Sequence, residues 1–232
     1  MEARGGSAMT TLILGSASSS RARILTQADI AFTVRISDVD EPAAVAAAQA
    51  KAADMGAQLT PALEAQLLAD LKAAAIANLP DIQAGQDRQA DPNTLVLGCD
   101  SVFELDGISY GKPYEVDVAV QRWKLMRGRT GILHTGHTLI DAATGTRAQR
   151  TLSTSVTFGE PSDTEIRRYA ESGEPLNCAG GFTIDGRGSA FVYAVEGDHL
   201  SVIGVSPAAL NSMLAELGHS ITDFWPTPEG RY

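Results

Sequence analysis

The stretch Leu95-Val-Leu-Gly-Cys-Asp100-Ser-Val-Phe-Glu-Leu-Asp-Gly-Ile-Ser-Tyr-Gly111-Lys112-Pro113 decides how this chain is read. An apolar run, the mark of a buried strand, ends on the carboxylate of Asp100. Open α/β sheets place their chemistry at the C-terminal ends of such strands. Val102 to Leu105 is again strand-like, and Asp106-Gly107 is a strong hairpin-turn signal. Lys112 follows between Gly111 and Pro113. The proline restrains the backbone before it, which aims the lysine. Together they suggest a carboxylate that activates water or holds a metal, facing an anionic, phosphorylated ligand.

On the N-terminal side, Thr11-Leu-Ile-Leu-Gly15 reads as a short buried strand. The serines of Ser16-Ala-Ser-Ser-Ser20 can cap the helix spaced over Arg21 to Ala28. Hydroxyls such as those of Ser16, Ser18 and Ser20, backbone amides and the Arg21 guanidinium could cradle a phosphate at that helix start. An ordinary cap with a solvated arginine is the alternative, and the loop lacks the Lys-Ser/Thr ending of a Walker motif. Phe32 to Ile36 alternates like a second strand. The turn Ser37-Asp-Val-Asp-Glu41-Pro42 offers oxygen ligands for Mg²⁺, or is simply a solvated acidic loop. Residues 43–78 are rich in helix formers, divided into two helices by Met55-Gly56 and Thr60-Pro61. Residues 79–93 read as a loop.

Beyond Pro113, Val116 to Met126 is predicted helical. Ile132 to Ile140 and Arg150 to Phe158 read as neighbouring strands joined through a turn at Gly145. Ser162 with Glu165 forms a capping-box pattern for a helix running to Glu171. Gly180 to Ile184 and Ala190 to Val195 are predicted strands, and Pro207 to Leu217 a final helix. His134 and His137 lie on a strand, where their spacing puts them on opposite faces, so no metal role is expected. Asn177-Cys-Ala-Gly-Gly-Phe182 and Asp185-Gly-Arg-Gly188 form glycine-rich turns that either admit a ligand close to backbone or make a plain hairpin. The expected fold is α/β: a mixed, partly antiparallel sheet flanked by helices.

Composition narrows the function. A net charge of −10 over 232 residues argues against a nucleic-acid binder, so any phosphate site must be a local basic cluster. No apolar run approaches the ~20 residues of a bilayer span, and the start has no secretory apolar region. A cytoplasmic protein is expected. Cys99 and Cys178 form neither a metal spacing nor a disulfide framework and are expected to be small buried hydrophobes.

The motifs in this order resemble the Maf family of nucleoside triphosphate pyrophosphatases. Leu-Ile-Leu-Gly-Ser-Ala-Ser-Ser-Ser-Arg21 is similar to the family's Leu-Ala-Ser-x-Ser-Pro-Arg-Arg opening, Val39-Asp-Glu41 to its acidic motif and Lys72-Ala73 to its Lys-Ala helix. Gly98-Cys-Asp100-Ser-Val resembles the strand of the catalytic acid, and Gly111-Lys112-Pro113 its Gly-Lys-Pro. The resemblance implies two lobes around a nucleotide-binding cleft. It also implies hydrolysis between the α and β phosphates with a divalent cation, Mg²⁺ or Mn²⁺. Asp100 would then be the general base or a metal-held carboxylate, and Glu41 would help hold the metal. Ser16, Arg21, Lys72 and Lys112 would surround the phosphates. The Leu-Ala-Asp-Leu-Lys-Ala context selects Lys72 over Lys51. Ser20, Ser101 and Asp185 fall where the family varies with base preference, and match neither the dTTP/UTP set nor the 7-methyl-GTP set. Asn177-Cys178 is more similar to the 7-methyl-GTP branch.

Departures are Ser19 and Ser20 in the opening motif, Arg127 and Gly131 in place of a serine and a histidine, and a longer segment between Glu41 and Asp100. The expected organisation is an extension over 1–10, the family-like domain over 11–218 and a tail over 219–232, with a homodimer among the allowed assemblies. Phe224-Trp-Pro-Thr-Pro in that tail is a candidate contact or a docked terminus. The expected role is clearance of non-canonical or modified nucleotides. A house-cleaning inosine/xanthosine triphosphatase and a division-linked nucleotide-binding regulator with little turnover are the rivals.

Overall fold

The computed structural model describes residues 10–82 and 94–226. Most of the extension expected over 1–10, most of the 79–93 loop and the end of the tail lie outside them. Among the described residues, the strands are β1 (Thr11–Leu14), β2 (Thr33–Val34), β3 (Thr94–Leu105), β4 (Ile108–Tyr110), β5 (Thr130–Asp141), β6 (Arg147–Phe158) and β7 (Val192–Glu196). The helices are α1 (Ser19–Gln27), α2 (Glu41–Asp54), α3 (Pro61–Ala77), α4 (Val116–Met126), α5 (Asp163–Glu171), α6 (His199–Ile203) and α7 (Pro207–Glu216). The strands form one mixed sheet in the order β2-β1-β3-β5-β6-β7, with β4 pairing β3 off that path. β1 is parallel to β2 and β3; the remaining pairs are antiparallel. The mixed α/β sheet flanked by helices matches the expectation from sequence.

Three local expectations are corrected. The two short strands around Asp100 are one continuous strand, and Asp100 lies in its middle. β5 pairs β3 through the whole region, so the chain has no reason to break there. The site opens at Asp100 for a different reason: β1 stops at Leu14 opposite Leu97, and β3 continues past it. The strand expected over Gly180 to Ile184 is a 3₁₀ turn over Ala179–Gly181, because Gly180 and Gly181 take φ of 71° and 78°, which no strand accommodates. The second strand shrinks to two exposed residues at the sheet edge.

Alternation along β3 divides the core. Leu95, Leu97 and Cys99 pack with α1 and α7, whereas Phe103 and Leu105 on the same face pack with α4 and α5. The second cluster is aromatic: Phe103, Phe158 and Phe182 meet edge to face, as do Trp123 and Tyr169. Ser101 falls in the gap between the clusters. Val96 faces the other side with Ala73 and Ile76 of α3. There α3 lies almost on the sheet, because Gly98 and Gly136 leave room for its Ala65-Ala69-Ala73 face. A Cβ on Gly98 would stand 2.6 Å from the Ala73 nitrogen, and one on Gly136 would stand 2.6 Å from the Gln66 Cα. His134 is held by Ser153 and Glu104, each at 2.8 Å. Phe224 is buried, and its carbonyl accepts from Ala31 N at 2.8 Å, while Trp225 stays half exposed.

Candidate active site

A cleft of about 740 Å³ runs between the two core clusters. Ser16, Ser18, Ser20, Arg21, Glu41, Lys72, Asp100, Ser101, Lys112 and Asp185 all line it, so the structure brings together every site residue singled out from the sequence.

One wall is the loop between β1 and α1. Ser18 caps α1, its hydroxyl accepting from Arg21 N at 3.4 Å. Ser16 Oγ accepts from Ser18 N at 3.2 Å and from Arg21 Nη1 at 3.1 Å. Buried Arg21 also donates through Nε to Gly204 O at 2.7 Å and through Nη2 to Ser101 Oγ at 3.2 Å. A guanidinium has five N–H donors, so two remain for a ligand. Ser101 Oγ is in turn 3.0 Å from Thr135 Oγ1, its cross-strand neighbour. The start of α1, its free amides and this guanidinium are donors of the kind that can receive an anion.

The floor is a charge cluster from three elements. Lys72 Nζ donates to Asp100 Oδ1 at 2.5 Å and pairs with Glu41 Oε1 at 2.8 Å. The Lys72 and Asp100 side chains are each 11% exposed. Lys72 reaches this point because α3 rests on Gly98, which sits two residues before Asp100. Glu41 lies in the first turn of α2, whose start is set by Asp40 accepting from Ala43 N at 3.0 Å and by Pro42. Lys51, the other lysine considered, is exposed near the far end of α2 and does not line the cleft.

The opposite wall is less legible in the sequence. Lys112 is exposed and, among the described residues, has no ion-pair partner. Asp185 pairs with Arg23 of α1 across the cleft mouth, and its carboxylate also accepts from the Thr183 hydroxyl. Glu174 accepts from Arg187 N and Gly188 N, both at 2.9 Å, fastening the loop that carries Asp185. Burial works against the charged form of Glu174, yet those amides hold its carboxyl below the usual range. Arg23, Glu174 and the α6 end at Val202 and Ile203 are lining residues that sequence reasoning missed. One signal was available: Asp198 caps α6 and Gly204 follows it, a start and stop around an apolar run. Cys178 lines the cleft with its thiol pushed up by burial, and Cys99 is fully buried with its thiol pushed up to about 12.

No helix among the described residues is long and apolar enough to cross a membrane. The family model for Maf-like proteins matches residues 11–217. A curated nucleoside triphosphate pyrophosphatase of Streptomyces coelicolor is 44% identical over 218 residues, covering 94% of this chain and 96% of its own. One of Salinispora tropica is 44% identical over 230 residues, covering 96% and 94%. One of Mycolicibacterium gilvum is 40% identical over 220 residues, covering 94% and 99%. A match that begins at β1 and runs through α7, with relatives similar over nearly their whole length, carries one conclusion: the chain belongs to the family of Maf-like proteins.

Proposed function

We propose that this protein is a hydrolase that cleaves nucleoside triphosphates to a nucleoside monophosphate and pyrophosphate in the cleft around Asp100. The relatives carry that activity in their names. The observation that carries the reading in this chain is the joining of the Asp100–Lys72–Glu41 cluster to the donors at the start of α1. Attack of water on a polyphosphate needs positioning and charge neutralisation more than covalent chemistry. Asp100 is the carboxylate placed to take the proton of the attacking water. Arg21, Lys112 and the free amides at the start of α1 hold the phosphates, and Lys72 joins them when it leaves the carboxylates.

Magnesium or manganese fits the donor set. Glu41 and Asp100 direct oxygens to one point, marked by Lys72 Nζ. Among the described residues no group of three or more metal-binding side chains forms a closed site. Mg²⁺ characteristically takes one or two carboxylates and completes its shell with phosphate oxygens and water. When bound, the ion would lower the pKa of water and offset phosphate charge. The remaining proposals are a single functional domain over 11–218, a cytoplasmic setting and a role in clearing non-canonical or modified nucleotides.

The test is pyrophosphate release from canonical, methylated and deaminated nucleoside triphosphates with Mg²⁺ or Mn²⁺, with Asp100→Asn as control. Release that needs both metal and Asp100 supports the reading. Nucleotide binding without release would turn it towards a regulatory binder.

A further inference from the structure

We infer that Lys72 is the resident cation of the cleft floor before nucleotide binds, and that a divalent ion reaches Glu41 and Asp100 only with the nucleotide whose phosphates draw Lys72 away. The inference rests on the hydrolase reading above and adds an order of binding to it.

The geometry is the first argument. Lys72 Nζ stands 2.5 Å from Asp100 Oδ1 and 2.8 Å from Glu41 Oε1, the same oxygens a metal would need. Two carboxylates converging on one point, that of Asp100 buried and that of Glu41 at 42% exposure, repel each other, and the ammonium relieves that. A divalent ion arriving alone finds its place taken by a positive charge, with the Arg21 guanidinium also in the cleft.

Charge balance is the second. The cleft is lined by Arg21, Arg23, Lys72 and Lys112 and by Glu41, Asp100, Glu174 and Asp185, four charges of each sign. The lining charges already balance, so the cleft holds no unspent negative charge for a free cation. A metal–triphosphate complex differs, because its phosphates supply the anion that Lys72 can exchange for its carboxylates. A lysine suits this exchange: its ammonium is a point charge on a flexible four-carbon stem.

The two lysines of the cleft are arranged for different moments. Lys112 is exposed with no ion-pair partner among the described residues, available to the first phosphate that arrives. Lys72 is committed until that phosphate comes. Glu41 is free to readjust, because α2 buries none of its residues and only its first turn meets the cleft floor.

Mn²⁺ binding to the intact protein tests this, read by the electron paramagnetic resonance of free Mn²⁺ and by calorimetry. Titrations are run with and without α,β-methylene analogues of UTP and GTP, which cannot be cleaved at that bond, and each analogue is also titrated without protein so that the Mn²⁺ it binds by itself is subtracted. The unsubstituted protein is expected to take up Mn²⁺ only with an analogue. Lys72→Met and Lys72→Gln are expected to bind Mn²⁺ alone at least about tenfold more tightly than the unsubstituted protein. Adding Asp100→Asn to either is expected to remove that uptake. Unsubstituted protein that binds Mn²⁺ alone as tightly as with an analogue overturns the exchange, leaves the hydrolase reading standing, and needs no variant to fold. Variants that bind Mn²⁺ alone no better than the parent overturn it as well. Absence of Mn²⁺ uptake even with an analogue removes the metal itself, and the exchange with it.

Discussion

Arg21 Nη2 donates to Ser101 Oγ at 3.2 Å, joining the first turn of α1 to the residue beside Asp100. The same guanidinium reaches Ser16 and the carbonyl of Gly204. One buried side chain therefore holds the start of α1, the acid-bearing strand and the end of α6 in a single frame. The same residue lines the cleft, so a group that fixes the architecture also borders the candidate site.

Asp100→Asn is expected to lower turnover by roughly 10²- to 10⁴-fold, the usual range for a positioned base, while nucleotide binding persists. Pyrophosphate release and calorimetric titration with an uncleavable analogue separate the two. Near-parental turnover would take Asp100 out of the proton transfer.

Lys112→Ala should raise KM or lower kcat by roughly ten- to a hundredfold, since a hydrogen bond to a charged group contributes about 1.5–3 kcal/mol. Its melting temperature should match the parent, because the side chain is exposed and pairs with nothing among the described residues. Unchanged kinetics would make Lys112 a solvated bystander.

Asp185→Gln should alter the ranking of bases more than the overall rate. The structure adds Arg23 to this expectation, because the two side chains pair across the cleft mouth. Arg23→Ala should shift the same ranking, at a stability cost of about 1 kcal/mol, because the arginine of the pair is 48% exposed. Kinetics over a nucleotide panel decide, and an unmoved ranking in both variants discards the idea.

Gly98→Ala should destabilise the fold by about 3 kcal/mol. The added methyl would lie 2.6 Å from the Ala73 nitrogen and nearer still to the Ala69 carbonyl, with backbone on both sides. Urea unfolding measures the loss. A neutral result would mean that α3 can lift off the sheet, and that the position of Lys72 is less constrained than its burial indicates.

Stability should fall on acidification through His137. Burial, helped by the positive charge of Arg21, pushes this histidine down to about 4 from 6.5. Nε2 accepts from Ser206 N at 2.9 Å, and Nδ1, 3.1 Å from the Thr135 carbonyl, is the donor, which is the neutral ring. The unfolded chain therefore binds a proton that the folded chain refuses between these two values. The stabilisation is complete above pH 6.5 and is lost as pH falls towards 4, about 3 kcal/mol in all. Urea midpoints at pH 7 and pH 5 measure about 2 kcal/mol of it, and His137→Gln should flatten the difference. An equal pH dependence in that variant would assign the effect to other groups.

Much of this protein was legible in its order of residues. Apolar runs at Leu12 and Leu95, the Asp106-Gly107 turn and the Ser162–Glu165 capping box act within a few residues, and the mixed α/β sheet follows from them. Asp100, Arg21, Glu41 and Lys112 stood out because each sits beside a local signal: a strand, a helix start, an acidic turn, a Gly-Lys-Pro. Tertiary structure alone decided that Lys72 stands between Glu41 and Asp100, that Arg23 meets Asp185, and that Glu174 fastens the facing loop. These contacts span 28 residues for Lys72 and Asp100 and 183 for Arg21 and Gly204. They depend on how closely α3 can approach two glycines and on which backbone groups lack a partner once the sheet is closed. No local pattern carries that information, because it is a property of packing rather than of neighbouring residues.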